Sequence, residues 1–157
     1  MKPLQGPFAS VSFNRQVAAN VITPLTVSVS GEITTNVAGS PIGAARTGGR
    51  ISDVWISVAA SGKDDTNTLS LTTDVLINGT TCLSTAPVIA HVSGEASQQK
   101  TTKVTGDTGV TQAVMNASAN TVAPGDVITY DLTLTRTASP TTEMSHPVVV
   151  VEFEPAK

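Results

Sequence analysis

Side chains able to do acid–base, nucleophilic or metal chemistry are few in this chain and widely spaced. The two histidines, His91 and His146, stand 55 positions apart. A histidine-based metal site needs imidazoles that converge, commonly at His-x-His or His-Glu-x-x-His spacing, and neither pattern occurs. Cys82 is the single cysteine, which excludes an intrachain disulfide and any cysteine-rich zinc site, so a small buried hydrophobe is expected there. The run Asp64-Asp65-Thr66-Asn67 gathers oxygen ligands in one loop. It lacks the glycine and the distal glutamate of an EF-hand loop, and a solvated turn is expected in place of a calcium site.

Nucleophilic catalysis finds no better footing. No Gly-x-Ser-x-Gly elbow is present, and among 15 serines a Ser, His and Asp can always be picked to imitate a triad. Glu152 and Glu154 lie two apart on an expected strand and therefore on one face, where a solvated edge accounts for them. No glycine-rich phosphate loop opens a helix. These readings assign no catalytic residue, metal ligand or cofactor, and the chain is not expected to be an enzyme. Two aromatic residues remain. Tyr130 shares its face with Ile128 and Leu132 and is expected in the core, whereas Trp55 shares its face with Asp53 and Ser57. Trp55 should therefore lie at a subunit contact or under a loop, with a sugar-stacking platform as the functional alternative. Asn78-Gly-Thr80 and Asn116-Ala-Ser118 match glycosylation acceptors by pattern alone, and both are read as chance matches.

The elements that would position these residues are strands. Leu25, Val27 and Val29 alternate with Thr26, Ser28 and Ser30, and Gly31 ends the run. Residues 36–49 are small and turn-forming without periodicity, which predicts a long loop. In residues 50–60, Val54, Ile56 and Val58 fall on one face, with Ile51, Asp53, Trp55 and Ser57 on the other. Asn78-Gly79 between Asp74-Val-Leu-Ile77 and Thr80-Thr-Cys-Leu83 predicts a hairpin with a type I′ turn. A short strand is expected within Pro87–Val92, a polar surface excursion over 93–109, and another strand over Val110–Met115. Ala123-Pro124-Gly125-Asp126 is a turn that launches Val127–Arg136, where Ile128, Tyr130, Leu132 and Leu134 alternate with Thr129, Asp131, Thr133 and Thr135. Pro147–Glu154 closes the chain as a strand apolar on both faces at its start, as for a central or interface strand.

Composition agrees with strands. Aromatic residues are 3% and charged residues 13%, while 20 Val and 24 Thr supply β-branched side chains suited to pleated surfaces. The 157 residues suffice for one domain. A net charge of −3 without charge runs argues against nucleic acid as a partner. No apolar run approaches the about 20 residues of a membrane helix, so no membrane partner is expected. After Met1 and Lys2 comes Pro3 with no apolar h-region, which predicts synthesis in a cytoplasm. Seven or eight short strands predict an all-β, single-domain antiparallel β-sandwich of jelly-roll-like type over residues 24–157. Residues 1–23, which carry Phe8, Phe13, Lys2 and Arg15 and no acidic residue, are expected to form an extended N-terminal arm.

The succession Ile51-Ser-Asp-Val-Trp-Ile-Ser-Val58, Asp74-Val-Leu-Ile-Asn-Gly-Thr80 and Val122-Ala-Pro-Gly-Asp-Val-Ile-Thr129 resembles jelly-roll structural proteins of tailed bacteriophages. The likeness is to head decoration (cement) proteins and related fibre domains. It implies a homotrimer on the outer capsid surface of a virion, made in the host cytoplasm, that clamps neighbouring copies of the major capsid protein. Some members add an arm that reaches along the capsid, and residues 1–23 fit that part. On this expectation Phe8, Phe13 and Arg15 anchor the capsid and Lys2 adds charge complementarity. The matching positions are strands and turns, so the resemblance transfers no residue set. The alternative is a glycan- or host-surface-binding module of a tail fibre or secreted protein, with Trp55 as its ligand aromatic. A small hydrolase with an unrecognised site is the third class.

Overall fold

A computed structural model describes residues 22–137 and 139–156. Of the arm expected over 1–23, positions 1–21 with Lys2, Phe8, Phe13 and Arg15 lie outside the described residues, and Thr23 already begins the first strand. Fifteen strands follow. The first five are β1 (Thr23–Ser28), β2 (Val37–Ala44), β3 (Gly49–Val58), β4 (Ala60–Lys63) and β5 (Ser70–Ile77). Shorter pieces come next: β6 (Thr80–Thr81), β7 (Leu83–Thr85), β8 (Val88–Ala90), β9 (Lys100–Thr101), β10 (Val110–Thr111), β11 (Val114–Met115) and β12 (Thr121–Val122). The chain closes with β13 (Val127–Thr135), β14 (Thr142–Ser145) and β15 (Val148–Pro155).

The protein is an all-β sandwich. One sheet runs β1-β15-β3-β12, with β9 also on β3; the other runs β10-β8-β5-β13-β2, with β6 on β5. Two small ladders, β11-β7 and β14-β4, complete it. The pieces β9 and β12 pair with opposite ends of the same edge of β3, so they act as one interrupted strand. With the two-residue edge piece β10 left aside, the eight principal positions then read first, eighth, third and sixth in one sheet and fifth, fourth, seventh and second in the other. That is the jelly-roll order.

Alternation explains which faces meet. Val54, Ile56 and Val58 of β3 and Val149 and Val151 of β15 are buried with Leu71, Val75 and Ile77 of β5 and with Ile128, Tyr130 and Leu132 of β13. Burial of each such side chain stabilises the fold by about 1.5–3 kcal/mol. β15 is central, between β1 and β3, in keeping with its apolar outer side at Val148 and Val150. The Asn78-Gly79 turn takes φ of 49° and 81°, the left-handed pair that a type I′ hairpin requires. Val88–Ala90 is a strand as expected, and Val110–Met115 divides into β10 and β11.

Three expectations fail for local reasons. Residues 37–44 form a strand, β2, not a loop. It lies at a sheet edge with two register shifts against β13, so no period survives, and Pro41 is tolerated where no further strand needs its missing N–H. Ile51 is fully buried, on the same side as Val54. A shift between Glu152 and Phe153 on the partner strand leaves Ser52 unpaired and resets the alternation. Residues 93–109 are no mere excursion, because β9 lies within them and Lys100 and Thr102 are buried.

Candidate functional site

The outer side of the β1-β15-β3 sheet carries the richest set of side chains. Register places Thr26, Val150 and Trp55 in one cross-strand row, with Pro24, Glu152 and Asp53 on one side of it and Ser28, Val148 and Ser57 on the other. The segment after β9 crosses this face. Lys103 Nζ stands 4.0 Å from the centre of the Trp55 ring, 2.7 Å from Asp53 Oδ2 and 3.5 Å from Glu152 Oε1. The Asp53 carboxylate, helped by Glu152, holds the Lys103 ammonium above the usual lysine pKa range. A charged cap on the indole face is worth about 0.5–1 kcal/mol at such an exposed position. Trp55 is thus half-buried and covered by a loop, one of the two placements the sequence allows.

Beside this row lies an open depression of about 480 Å³. Ser57, Val58, Ala59 and Val148 line it together with residues 99–101, Asp107 and His146. Ser57 Oγ and Thr101 Oγ1 are hydrogen-bonded at 2.8 Å. His146 adopts φ of 51°, and its N–H donates to Gly31 O at 2.8 Å. Lys100, on the inward side opposite Val58, sends its ammonium to Glu95 Oε2 (2.6 Å), Thr108 O (2.8 Å) and Ala90 O (3.2 Å). This buried cation ties the loops on either side of it, and so fixes the segment that carries Lys103 and Asp107. The depression can offer hydroxyl, amide, carboxylate and imidazole groups around an apolar floor.

The other polar candidates resolve into structural roles. Asp64 is buried, contrary to the solvated turn expected for it; its carboxylate accepts from Thr137 Oγ1 (2.7 Å) and Thr66 Oγ1 (3.1 Å). The Thr137 hydroxyl leads in holding its pKa low. Asp65 points elsewhere, to Gly94 N (2.9 Å), His91 Nε2 (3.0 Å) and Lys63 Nζ (3.2 Å), and its pKa is held down to about 2 with the Gly94 N–H as the main cause. The two carboxylates diverge, so they form no calcium cradle. Among the described residues no three His, Cys, Asp or Glu side chains group to hold a metal ion. Cys82 is fully buried, and burial pushes its thiol up to about 12.

The Asn78 side chain is committed to Val127 N (2.9 Å) and Asp126 Oδ1 (2.8 Å), and it joins the hairpin to the Ala123–Asp126 turn. Asn116 Oδ1 accepts from Ser118 N at 3.1 Å. Sequence reasoning missed Lys103 and the Asp107–His146 depression. The signal was faint: two lysines, Lys100 and Lys103, flanking Thr101-Thr102 in an otherwise polar stretch. It also missed Asp74 and Asp131, which stand directly opposite each other on β5 and β13. Hydrogen bonds from Thr81 Oγ1 (2.6 Å) and Gly39 N (2.6 Å) to these carboxylates offset their repulsion. Comparison with protein-family models, curated proteins and solved structures finds no match to this chain.

Proposed function

We propose that this chain is a viral structural protein, a capsid decoration (cement) protein that binds the outer surface of a phage head as a homotrimer and stabilises the capsid lattice. The observation that carries the reading is the junction of residues 1–21 with β1, an edge strand of a jelly-roll sandwich. Fold alone does not specify function, so the segment's chemistry matters more. It holds two phenylalanines, Lys2 and Arg15, and no acidic residue. A protein that binds the assembled lattice and not its separated subunits shifts the balance toward the lattice by mass action. Joining three copies lets weak contacts add through effective concentration.

Capsid occupancy tests this directly. Deletion of residues 1–20 should abolish binding to capsids assembled from the major capsid protein and leave the isolated sandwich folded. Unchanged occupancy would remove Lys2, Phe8, Phe13 and Arg15 as anchors.

The second reading, a glycan-binding module, draws on the depression beside Trp55. A saccharide bound there meets Asp107, His146 and the Ser57–Thr101 hydroxyls, and it reaches the Trp55 ring only if Lys103 is displaced. Glycan-array silence together with unchanged Trp55 emission on adding saccharides counts against it.

A further inference from the structure

An asparagine followed by glycine can react with its own backbone, because glycine has no Cβ to hinder attack by its nitrogen on the side-chain amide. Asn78-Gly79 is the single such pair among the seven asparagines of the chain. Both residues are exposed at the hairpin tip, and a Cβ at Gly79 would meet nothing within 4 Å, so water reaches them. The carboxamide is nevertheless tied at both ends. Asn78 Oδ1 accepts from Val127 N at 2.9 Å, Nδ2 donates to Asp126 Oδ1 at 2.8 Å, and the backbone N–H of Asn78 donates to Val127 O at 2.9 Å. All three bonds run to Asp126 and Val127 and none to Gly79. The Asp126 carboxylate is itself anchored, since its Oδ2 accepts from Ala123 N at 2.7 Å. That N–H first, and the Asn78 amide second, hold its pKa below the ordinary carboxylate range, so Asp126 is charged near neutral pH.

We propose that Asn78-Gly79 is a site of spontaneous covalent modification by water, that the clamp to Asp126 and Val127 sets its rate, and that its product unfastens the hairpin from the Ala123–Asp126 turn. The lone pair of Gly79 N attacks Asn78 Cγ. A bond from Gly79 N to Cγ forms, the Cγ–Nδ2 bond breaks, and Nδ2 leaves as ammonia with the proton that Gly79 N gives up. Water then opens the cyclic imide. Breaking the new bond to Cγ leaves an aspartate at position 78, whereas breaking the bond from Gly79 N to the Asn78 carbonyl carbon leaves an isoaspartate. Nothing is oxidised or reduced, and the net change is gain of water and loss of ammonia. Attack requires the carboxamide to leave its partners and swing Cγ toward Gly79 N, so only the locally opened population reacts. In the aspartate product a carboxylate oxygen stands where Nδ2 was, 2.8 Å from Asp126 Oδ1, and a hydrogen bond becomes a like-charge contact. Isoaspartate adds a methylene to the backbone of a turn whose register pairs Ile77 with Thr80. The inference goes beyond the decoration reading and concerns the sandwich alone, whatever its partner.

Incubation of the full-length protein in mildly alkaline buffer, folded or in urea, followed by peptide mass spectrometry tests it. Modification is read at Asn78 as the mass of water gained less that of ammonia lost. The folded protein should react about tenfold more slowly than the unfolded chain, or slower still. Asp126→Ala should speed the folded-state reaction about fivefold, the worth of one hydrogen bond. Ile56→Val, in the opposite sheet, weakens the core by a similar amount and should leave the rate near that of wild type. Folded wild type that reacts as fast as the unfolded chain overturns the proposal. So does Asp126→Ala that reacts as slowly as wild type, or Ile56→Val that reacts as fast as Asp126→Ala. Asn78→Asp reproduces the aspartate product and should lower the urea midpoint at neutral pH. Adding Asp126→Asn exchanges carboxylate and amide across the same contact and should restore most of the loss. A midpoint unchanged in Asn78→Asp, or a loss that the exchange fails to repair, overturns the unfastening. Should Asp126→Ala fail to fold, the wild-type comparison and the exchanged pair still decide.

Discussion

Thr73 is fully buried on the inward side of β5, and its Oγ1 has no hydrogen-bond partner among the described residues. A hydroxyl desolvated without a partner costs about 1–3 kcal/mol. Thr73→Val keeps the branched shape and removes the orphan, so it should raise stability by about 1 kcal/mol, read as a higher urea midpoint. The unchanged midpoint or a lower one would show that the hydroxyl is satisfied. Cys82 gives a second check at this scale. With its pKa pushed up to about 12 and no exposure, the thiol should be silent to a disulfide reagent in the native protein at pH 8. It should react fully once the chain is unfolded in denaturant.

The loop after β4 and the segment after β8 are joined through Asp65, which meets Lys63, His91 and Gly94. Its carboxyl pKa is about 2 in the folded protein against 3.8 ordinarily. A depressed carboxyl contributes stability that is fully present above the ordinary value and is lost as pH falls toward the folded one. Asp65→Asn should therefore lower the urea midpoint near pH 6. The difference from wild type should shrink between about pH 4 and 2 and vanish below that. A gap that persists at pH 2 would mean that the amide disturbs packing and that charge is not the cause. Close approach sets another limit on the elements. A Cβ at Gly49 would collide with Glu154 O and Pro155 Cα, so β3 and β15 can pair at this end only through glycine.

At the scale of the molecule, the sandwich leaves β1 and β2 as edges and keeps a partly apolar row, Thr26, Val150 and Trp55, on an outer face under Lys103. The decoration reading expects these surfaces to serve assembly. Light scattering coupled to size exclusion should give a stable trimer of the 16.0 kDa chain. A clean monomer would weaken the trimeric reading and raise the glycan-binding one, for which Trp55 is the first residue to test.

Where one face is buried and the other is wet, the sequence by itself determined the element. β1 and β13 are legible from alternation alone, because solvent and core sort the two faces residue by residue. Asn78-Gly79 is legible for a different reason: few residue pairs accept two positive φ angles, and the turn needs nothing beyond itself. The tertiary structure alone decided the rest. β2 has small residues, a proline and two register shifts, and only its pairing with β13 makes it a strand. Ile51 faces the core because β15 shifts register opposite Ser52. The jelly-roll order, the Lys103 cap on Trp55 and the Asp107–His146 depression all join residues far apart in sequence. Local propensity carries no information about such meetings, since contacts between strands depend on the partner's register as much as on the residue itself.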